Sequence, residues 1–227
     1  MTRTIFITGT DTGVGKTLVT GLLLQHLRAK NFSALAMKPF CSGGRGDIEL
    51  IQALQPGEIT EKQANPFYFP EPIAPLVAAR KQRRRIDLRD VLERISAVHK
   101  RCEILFIEGS GGLLVPLGKD FFVLDLLKNL RCEVVLVGRN RLGTINHTLL
   151  TVFALQQAGI NRVKIVLSDE RIGDISSKTN EKVIRKLLTN KEVFRLPYLG
   201  KSAMKTSELK KCAKKIKKTL ARIVRDV

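Results

Sequence analysis

The chain is short of acidic residues, aromatics and histidine and has no long apolar run, and each shortage removes a class of function. Nowhere are there the roughly 18 to 20 consecutive apolar residues that would span a bilayer. The N-terminal apolar run reaches Asp11 too soon for a secretory signal peptide, so a cytosolic protein is expected. Cys41, Cys102, Cys132 and Cys212 are scattered without a CxxC pair, which argues against a zinc site and against a disulfide framework. Of the three histidines, His26 and His99 show no metal-ligand spacing, and His147 stands alone where packing or capping is the ordinary role.

What is present is ordinary globular material. Hydrophobic residues make up 44% and charged ones 27% of 227 residues, with 17 Gly and 8 Pro. That composition excludes a disordered or collagen-like chain and suits one compact domain over residues 1–227. The net charge of +19 raises the question of a polyanionic partner. From Lys201 onward ten Lys and Arg face only Glu208 and Asp226, a balance of +8 that leaves +11 for the first 200 residues. Yet Leu209, Cys212, Ile216, Leu220, Ile223 and Val227 recur at spacings of three and four. This predicts an amphipathic helix over about 206–226, apolar stripe on the core and lysines in water. The run Lys81, Arg83, Arg84, Arg85 precedes a helix near Asp87 and reads as a solvated connection. No aromatics interleave with either cluster, as base stacking would want, so nucleic acid is not expected as a partner.

Apolar segments alternate with helical patterns along the whole chain. Strands are predicted at Thr4–Thr8, Ala34–Met37, Ile104–Ile107, Val134–Val137, Val163–Leu167 and Val193–Leu196. Helical spacing begins at Lys16 and recurs at Ile48–Leu54, Leu88–His99, Val123–Leu130, Ile145–Ala158 and Asn180–Leu188. Such alternation predicts an α/β fold, a doubly wound and mostly parallel sheet with helices on both faces. The uninterrupted Val134-Val135-Leu136-Val137 fits a sheet covered on both sides. The longest irregular stretch, Gln55 to Arg85 with five prolines, is expected to be functional because loops of that length in compact domains usually are.

The first turn carries the strongest chemical signal: Gly9-Thr10-Asp11-Thr12-Gly13-Val14-Gly15-Lys16-Thr17, between a strand and a helix. In a phosphate-binding loop, glycines let backbone N–H groups turn onto phosphates and the helix N-terminus adds its dipole. Lys16 then supplies a cation for the β and γ phosphates, and Thr17 a hydroxyl for Mg²⁺. Five residues separate Gly9 from Gly15, one more than the general pattern. Glu108, delivered by the strand before Gly109-Ser110-Gly111-Gly112, stands at the carboxyl edge, where a Mg²⁺-coordinating acid would sit. Lys38 leaves the second strand at the same edge, either as a solvated loop end or as a second cation for the transferred phosphate. Parallel strands all ending on one side favour the second role.

These motifs, with Asn65-Pro66, Glu71-Pro72, Ser42 after Lys38-Pro39, and Leu142-Gly143-Thr144-Ile145-Asn146-His147, resemble in order the signatures of dethiobiotin synthetase. The five-residue spacing in the phosphate loop is that family's own form. The likeness is dense from Thr2 to Ala158; beyond Gly159 only Val163–Asp169 and Leu196-Pro197 resemble the family's nucleotide-base region.

The resemblance implies a P-loop ligase of biotin biosynthesis. Its substrates would be 7,8-diaminononanoate, CO₂ or bicarbonate, and ATP, with Mg²⁺ as cofactor. The diamine takes up CO₂ as a carbamate, ATP phosphorylates it, and the second amine closes the cyclic urea. By the same resemblance Gly13, Val14, Gly15, Lys16 and Thr17 hold the phosphates, and Ser168, Asp169 and Pro197 hold the base. Thr17, Asp47 and Glu108 would bind the metal. Lys16, Lys38, Thr12 and Ser42 would serve catalysis, with Gly111 beside the substrate. Gly143, Ile145 and Asn146 would take the substrate carboxylate from the other subunit of a homodimer. For Asp47 an N-cap of the helix from Ile48 is compatible with the metal role. Two positions depart from the family: Ser168 stands where an Asn commonly reads adenine, and Gly13 where some members carry an acid. The competing readings are a cobyrinate amidase-type enzyme and a partitioning-type ATPase. The first would normally bring a glutaminase domain, and the second an early lysine where Asp11 stands.

Overall fold

In the computed structural model, which describes residues 2–225, the chain opens with β1 (Arg3–Gly9), α1 (Lys16–Arg28), β2 (Ala34–Met37), β3 (Phe40–Ser42) and α2 (Gly46–Leu54). It continues through α3 (Glu61–Ala64), β4 (Phe67–Phe69), α4 (Pro75–Lys81), α5 (Leu88–His99), β5 (Ile104–Glu108), β6 (Pro116–Gly118), β7 (Phe121–Phe122) and α6 (Val123–Asn129). The last part holds β8 (Glu133–Arg139), α7 (Thr144–Gln157), β9 (Val163–Ser168), α8 (Asn180–Leu187), β10 (Glu192–Leu196), α9 (Thr206–Lys215) and α10 (Lys217–Ile223). Single 3₁₀ turns lie at Ile175–Lys178 and Lys201–Met204. Six strands form one sheet in the order β10-β9-β8-β1-β5-β2, and every pairing in it is parallel. This is the doubly wound α/β sheet that the alternation predicts.

Successive side chains along a strand point to opposite faces, and here both faces are buried. Phe6, Leu105, Ile107 and Leu136 join one apolar cluster with α5 to α8. Ile5, Ile7, Phe106 and Val137 join the other with α1, α2, α9 and α10. Beyond β5, strand β2 is an edge, and its Ala36 peptide is closed by a side chain. The fully buried Gln55 accepts from Ala36 N and donates to Ala36 O, both at 2.8 Å, imitating a neighbouring strand.

Three expectations need correcting. The stretch from Gln55 to Arg85 is not one irregular loop: it holds α3, β4 and α4, and β4 pairs in parallel with β3. Strands of three residues are too short to show a period, which is why the sequence does not announce them. Within the basic run, Arg84 is more than a solvated link, since its guanidinium lies 5.8 and 5.9 Å from the rings of Phe67 and Phe69. The C-terminal helix is two helices, broken at Ile216, where φ is −107° and ψ 22°. The bend carries the buried stripe from Leu209 and Ala213 to Leu220, Ile223 and Val224. There Lys164 donates to the Ile223 carbonyl and Arg3 to that of Val224. The end of the expected helix at 226, and Val227 of its stripe, lie outside the described residues. Among the described residues, no helix is long and apolar enough to cross a membrane.

Candidate active site

All six strands of the sheet run the same way, so their carboxyl ends share one edge, and the chemical residues gather there. At the end of β1 the loop turns through Gly13 (φ 64°) and Gly15 (φ 100°), a backbone region closed to most side chains. Gly15 caps α1 without a side-chain hydrogen bond, leaving the first N–H groups of a 13-residue helix open to an anion. Lys16, 6% exposed, folds back over the loop and donates from Nζ to the Asp11 carbonyl at 2.8 Å. Burial lowers its pKa to about 8, the attraction of Glu108 offsetting only part of the desolvation.

A second group of charges faces this loop. Thr17 Oγ1 donates to Glu108 Oε1 at 2.7 Å, and Lys38 Nζ donates to the same oxygen at 2.8 Å. Lys38 also pairs with Asp47. Burial alone would lower the Lys38 pKa, but Glu108 and then Asp47 outweigh it and hold the ammonium above the ordinary lysine range. The Lys38 main chain is gripped from both sides: its N–H donates to Ala64 O at 2.8 Å, and buried Asn65 Nδ2 donates to its carbonyl at 2.6 Å. Asp47 does not cap its helix. Position Arg45 is the N-cap, without a side-chain bond, and the Asp47 carboxylate is turned to Lys38 instead.

These groups line one cavity of about 720 Å³. The structure brings Thr12, Gly13, Gly15, Lys16, Thr17, Lys38, Ser42, Asp47, Glu108 and Gly111 to its walls. Val14 instead buries its side chain in the core. Ser168 lies next to the phosphate loop, where a Cβ on Gly15 would meet its Oγ at 3.5 Å. The Asp169 carboxylate is engaged within the protein by Asn140 at 2.7 Å and by Arg195 at 2.8 Å, and Pro197 is exposed. Gly143, Ile145 and Asn146 are not brought to this cavity. They stand at the start of α7, with Asn146 exposed, beside a smaller polar cleft of about 190 Å³ that Thr12, Arg139, Arg141 and His147 line.

Sequence reasoning missed the apolar wall of the large cavity, made by Ile73, Ala74, Leu114 and Val115. The proline-rich stretch, with Pro72 and Pro75 on that wall, was its one visible signal. As for a metal, no cluster of three His, Cys, Asp or Glu side chains occurs among the described residues. The Thr17 hydroxyl and the Glu108 and Asp47 carboxylates nevertheless form an all-oxygen set, the kind a hard cation takes, and buried Glu108 Oε2 has no hydrogen-bond partner.

A family model described as an AAA domain (AAA_26) matches residues 3–206. Over 168 residues the chain is 40% identical to the ATP-dependent dethiobiotin synthetase BioD of Bacillus licheniformis, covering 72% of each chain. It is 36% identical over 204 residues to that of Bacillus velezensis, covering 87% of this chain and 85% of the relative. For Endomicrobium trichonymphae the figures are 38% over 204 residues, 87% and 94%. Among solved structures, a ParA family ATPase from Chlorobium tepidum matches with a TM-score of 0.60 at 15% identity over 98% of each chain. The MinD cell division protein of Aquifex aeolicus matches at 0.60 and 13%, over 97% of this chain and 96% of that one. At such identity the partitioning-type proteins share the fold alone. Where identity is high enough to speak for more than the fold, the relatives agree, and the chain belongs to the ATP-dependent dethiobiotin synthetase family.

Proposed function

We propose that this chain closes the cyclic urea of dethiobiotin from 7,8-diaminononanoate, CO₂ and ATP. The observation that carries the reading is the meeting of Lys16, Lys38, Thr17 and Glu108 in one cavity at the carboxyl edge of the sheet. One amine adds to CO₂ and loses a proton, giving a carbamate. A carbamate oxygen then attacks the γ-phosphorus and ADP leaves. The second amine attacks the carbonyl carbon of the mixed anhydride, phosphate leaves, and the nitrogen gives up a proton as the ring closes. Carbamate and γ-phosphate are both anionic, so their approach needs concentrated positive charge. Lys16 holds the phosphates already present in the ground state, and Lys38, kept protonated, faces the carbamate and the phosphoryl group in flight. Thr12 and Ser42 donate hydrogen bonds to the carbamate; Ser42 Oγ is buried without a partner and so free for that role. Thr17, Asp47 and Glu108 hold Mg²⁺, which when bound neutralises charge on the phosphate oxygens. The assay is dethiobiotin formation from the diamine, bicarbonate, Mg²⁺ and ATP, with ADP and phosphate as co-products. No product from well-folded protein overturns the reading.

The reading includes a single-domain, cytosolic homodimer with shared sites. Its support is the exposed face of α7 and the turn before it, where Leu142, Leu150 and Phe153 are 81%, 60% and 60% exposed on the stripe that carries Asn146. Large apolar side chains left exposed at helical spacing on one face suit an interface. In a heterodimer of Asn146→Ala and Lys16→Ala subunits, one of the two sites receives both intact parts. Verified subunit exchange should therefore restore activity at low diamine concentration; no restoration means that Asn146 acts within its own subunit.

A further inference from the structure

We propose that Arg139 is a positioning residue of the nucleotide site, holding the Gly13 carbonyl outward so that the Val14 N–H faces the phosphates. The inference rests on reading the first loop as the phosphate site. Strand β8 is as long as its neighbour but set two residues further along: Gly9, the last residue of β1, pairs with Val137, and β8 continues through Gly138 to Arg139. The arginine is thereby carried past the end of β1 onto the outer side of the loop. Its Nε and Nη2 donate to the Gly13 carbonyl at 3.1 and 3.0 Å, a two-pronged grip on one oxygen. Nη1 is held from behind by Glu170 at 3.5 Å.

In a planar trans peptide the C=O and the following N–H point to opposite sides. Fixing the Gly13 carbonyl outward therefore turns the Val14 amide inward, and that N–H has no protein acceptor among the described residues. Glycine at 13, at φ 64°, is the residue type whose flanking peptides rotate most freely, so an external clamp is needed here more than elsewhere in the loop. The fit is close, since a Cβ on Gly13 would stand 2.9 Å from Arg139 Nη2. Lacking a side chain at 13, the loop takes its rigidity from a residue 126 positions away.

The test compares wild type with Arg139→Ala and Arg139→Lys by calorimetric binding of Mg·ADP, steady-state kinetics, and the ¹⁵N–¹H signal of the Val14 amide. Wild type should bind nucleotide and shift the Val14 proton downfield; if wild type does not bind, the phosphate-site reading itself fails. Arg139→Ala should weaken Mg·ADP and raise KM for ATP by about tenfold, the lower range for one charged hydrogen bond. The Val14 shift should shrink. Arg139→Lys, which keeps one donor, should recover part of both effects and serves as the decisive variant should the alanine protein not fold. Unchanged affinity in Arg139→Ala overturns the proposal. So does lost affinity with the Val14 shift intact, because the arginine would then touch the nucleotide itself.

Discussion

The carboxyl edge of the sheet and the C-terminal tail are both rich in lysine, yet only one of them is a site. At the edge, Lys16 and Lys38 are 6% and 8% exposed, face one cavity and are fixed by main-chain contacts. In the tail, Lys210, Lys211, Lys214, Lys215, Lys217 and Lys218 are all exposed, while Leu209, Ala213, Leu220 and Ile223 beneath them are buried. Charge density is the same kind of signal in both places. What separates them is desolvation and convergence: a buried ammonium acts on a ligand through a low dielectric, whereas a solvated one is screened within about 10 Å.

The sharpest way to break this contrast is to neutralise each class in turn. Lys16→Ala should abolish measurable nucleotide binding and lower kcat/KM for ATP by on the order of 10³, read by calorimetry and initial rates. Lys38→Ala should lower kcat by on the order of 10² while leaving Mg·ADP affinity within about twofold. If it bound nucleotide as poorly as Lys16→Ala, the division of labour between the two lysines would be wrong. In the tail the large effect belongs to the apolar side: Leu209→Ala should reduce unfolding free energy by about 2 to 5 kcal/mol with kcat unchanged in the folded protein.

His26 gives a smaller, pH-dependent effect on the helix the two regions share. It is buried in α1 with Nε2 unpartnered, and burial, then Lys30, lower its pKa below the ordinary 6.5. The folded state therefore favours the neutral ring. Its stability contribution is complete above about pH 6.5 and is lost as pH falls from there through the lower folded value, because the unfolded chain takes up the proton first. His26→Gln should flatten the fall of Tm on the acid side without altering the plateau slope above it. Least of all is expected from the tail lysines. Replacing Lys210, Lys211, Lys214 and Lys215 by Gln should leave kcat unchanged and shift stability by no more than about 0.5 kcal/mol per site. A large fall in kcat there would show that the basic face takes part in the reaction.

Local pattern along the chain determines much of this protein. The phosphate loop is readable because its glycines, Lys16 and Thr17 are contiguous and lie between a strand and a helix. The strand order of a doubly wound sheet is not written in the chain, but its members are: Ala34–Met37 and Leu88–His99 match the observed β2 and α5 to the residue. Buried strands and amphipathic helices each have a period that a window of a few residues reveals. The tail's amphipathic character is legible for the same reason. Its break at Ile216 is not, because the bend follows the surface it packs on.

Tertiary structure alone decided the contacts that turn these elements into a site. Thr17 and Glu108 are 91 residues apart, Lys38 and Glu108 are 70, and Arg139 lies 126 from Gly13. The Asn65 grip on Lys38 and the Gln55 closure of the sheet edge are of the same kind, single side chains meeting distant backbone. Such pairs have no period and no spacing to read. They exist because parallel strands deliver residues from remote parts of the chain to one edge, where burial removes water and leaves each polar group only the partners the fold provides.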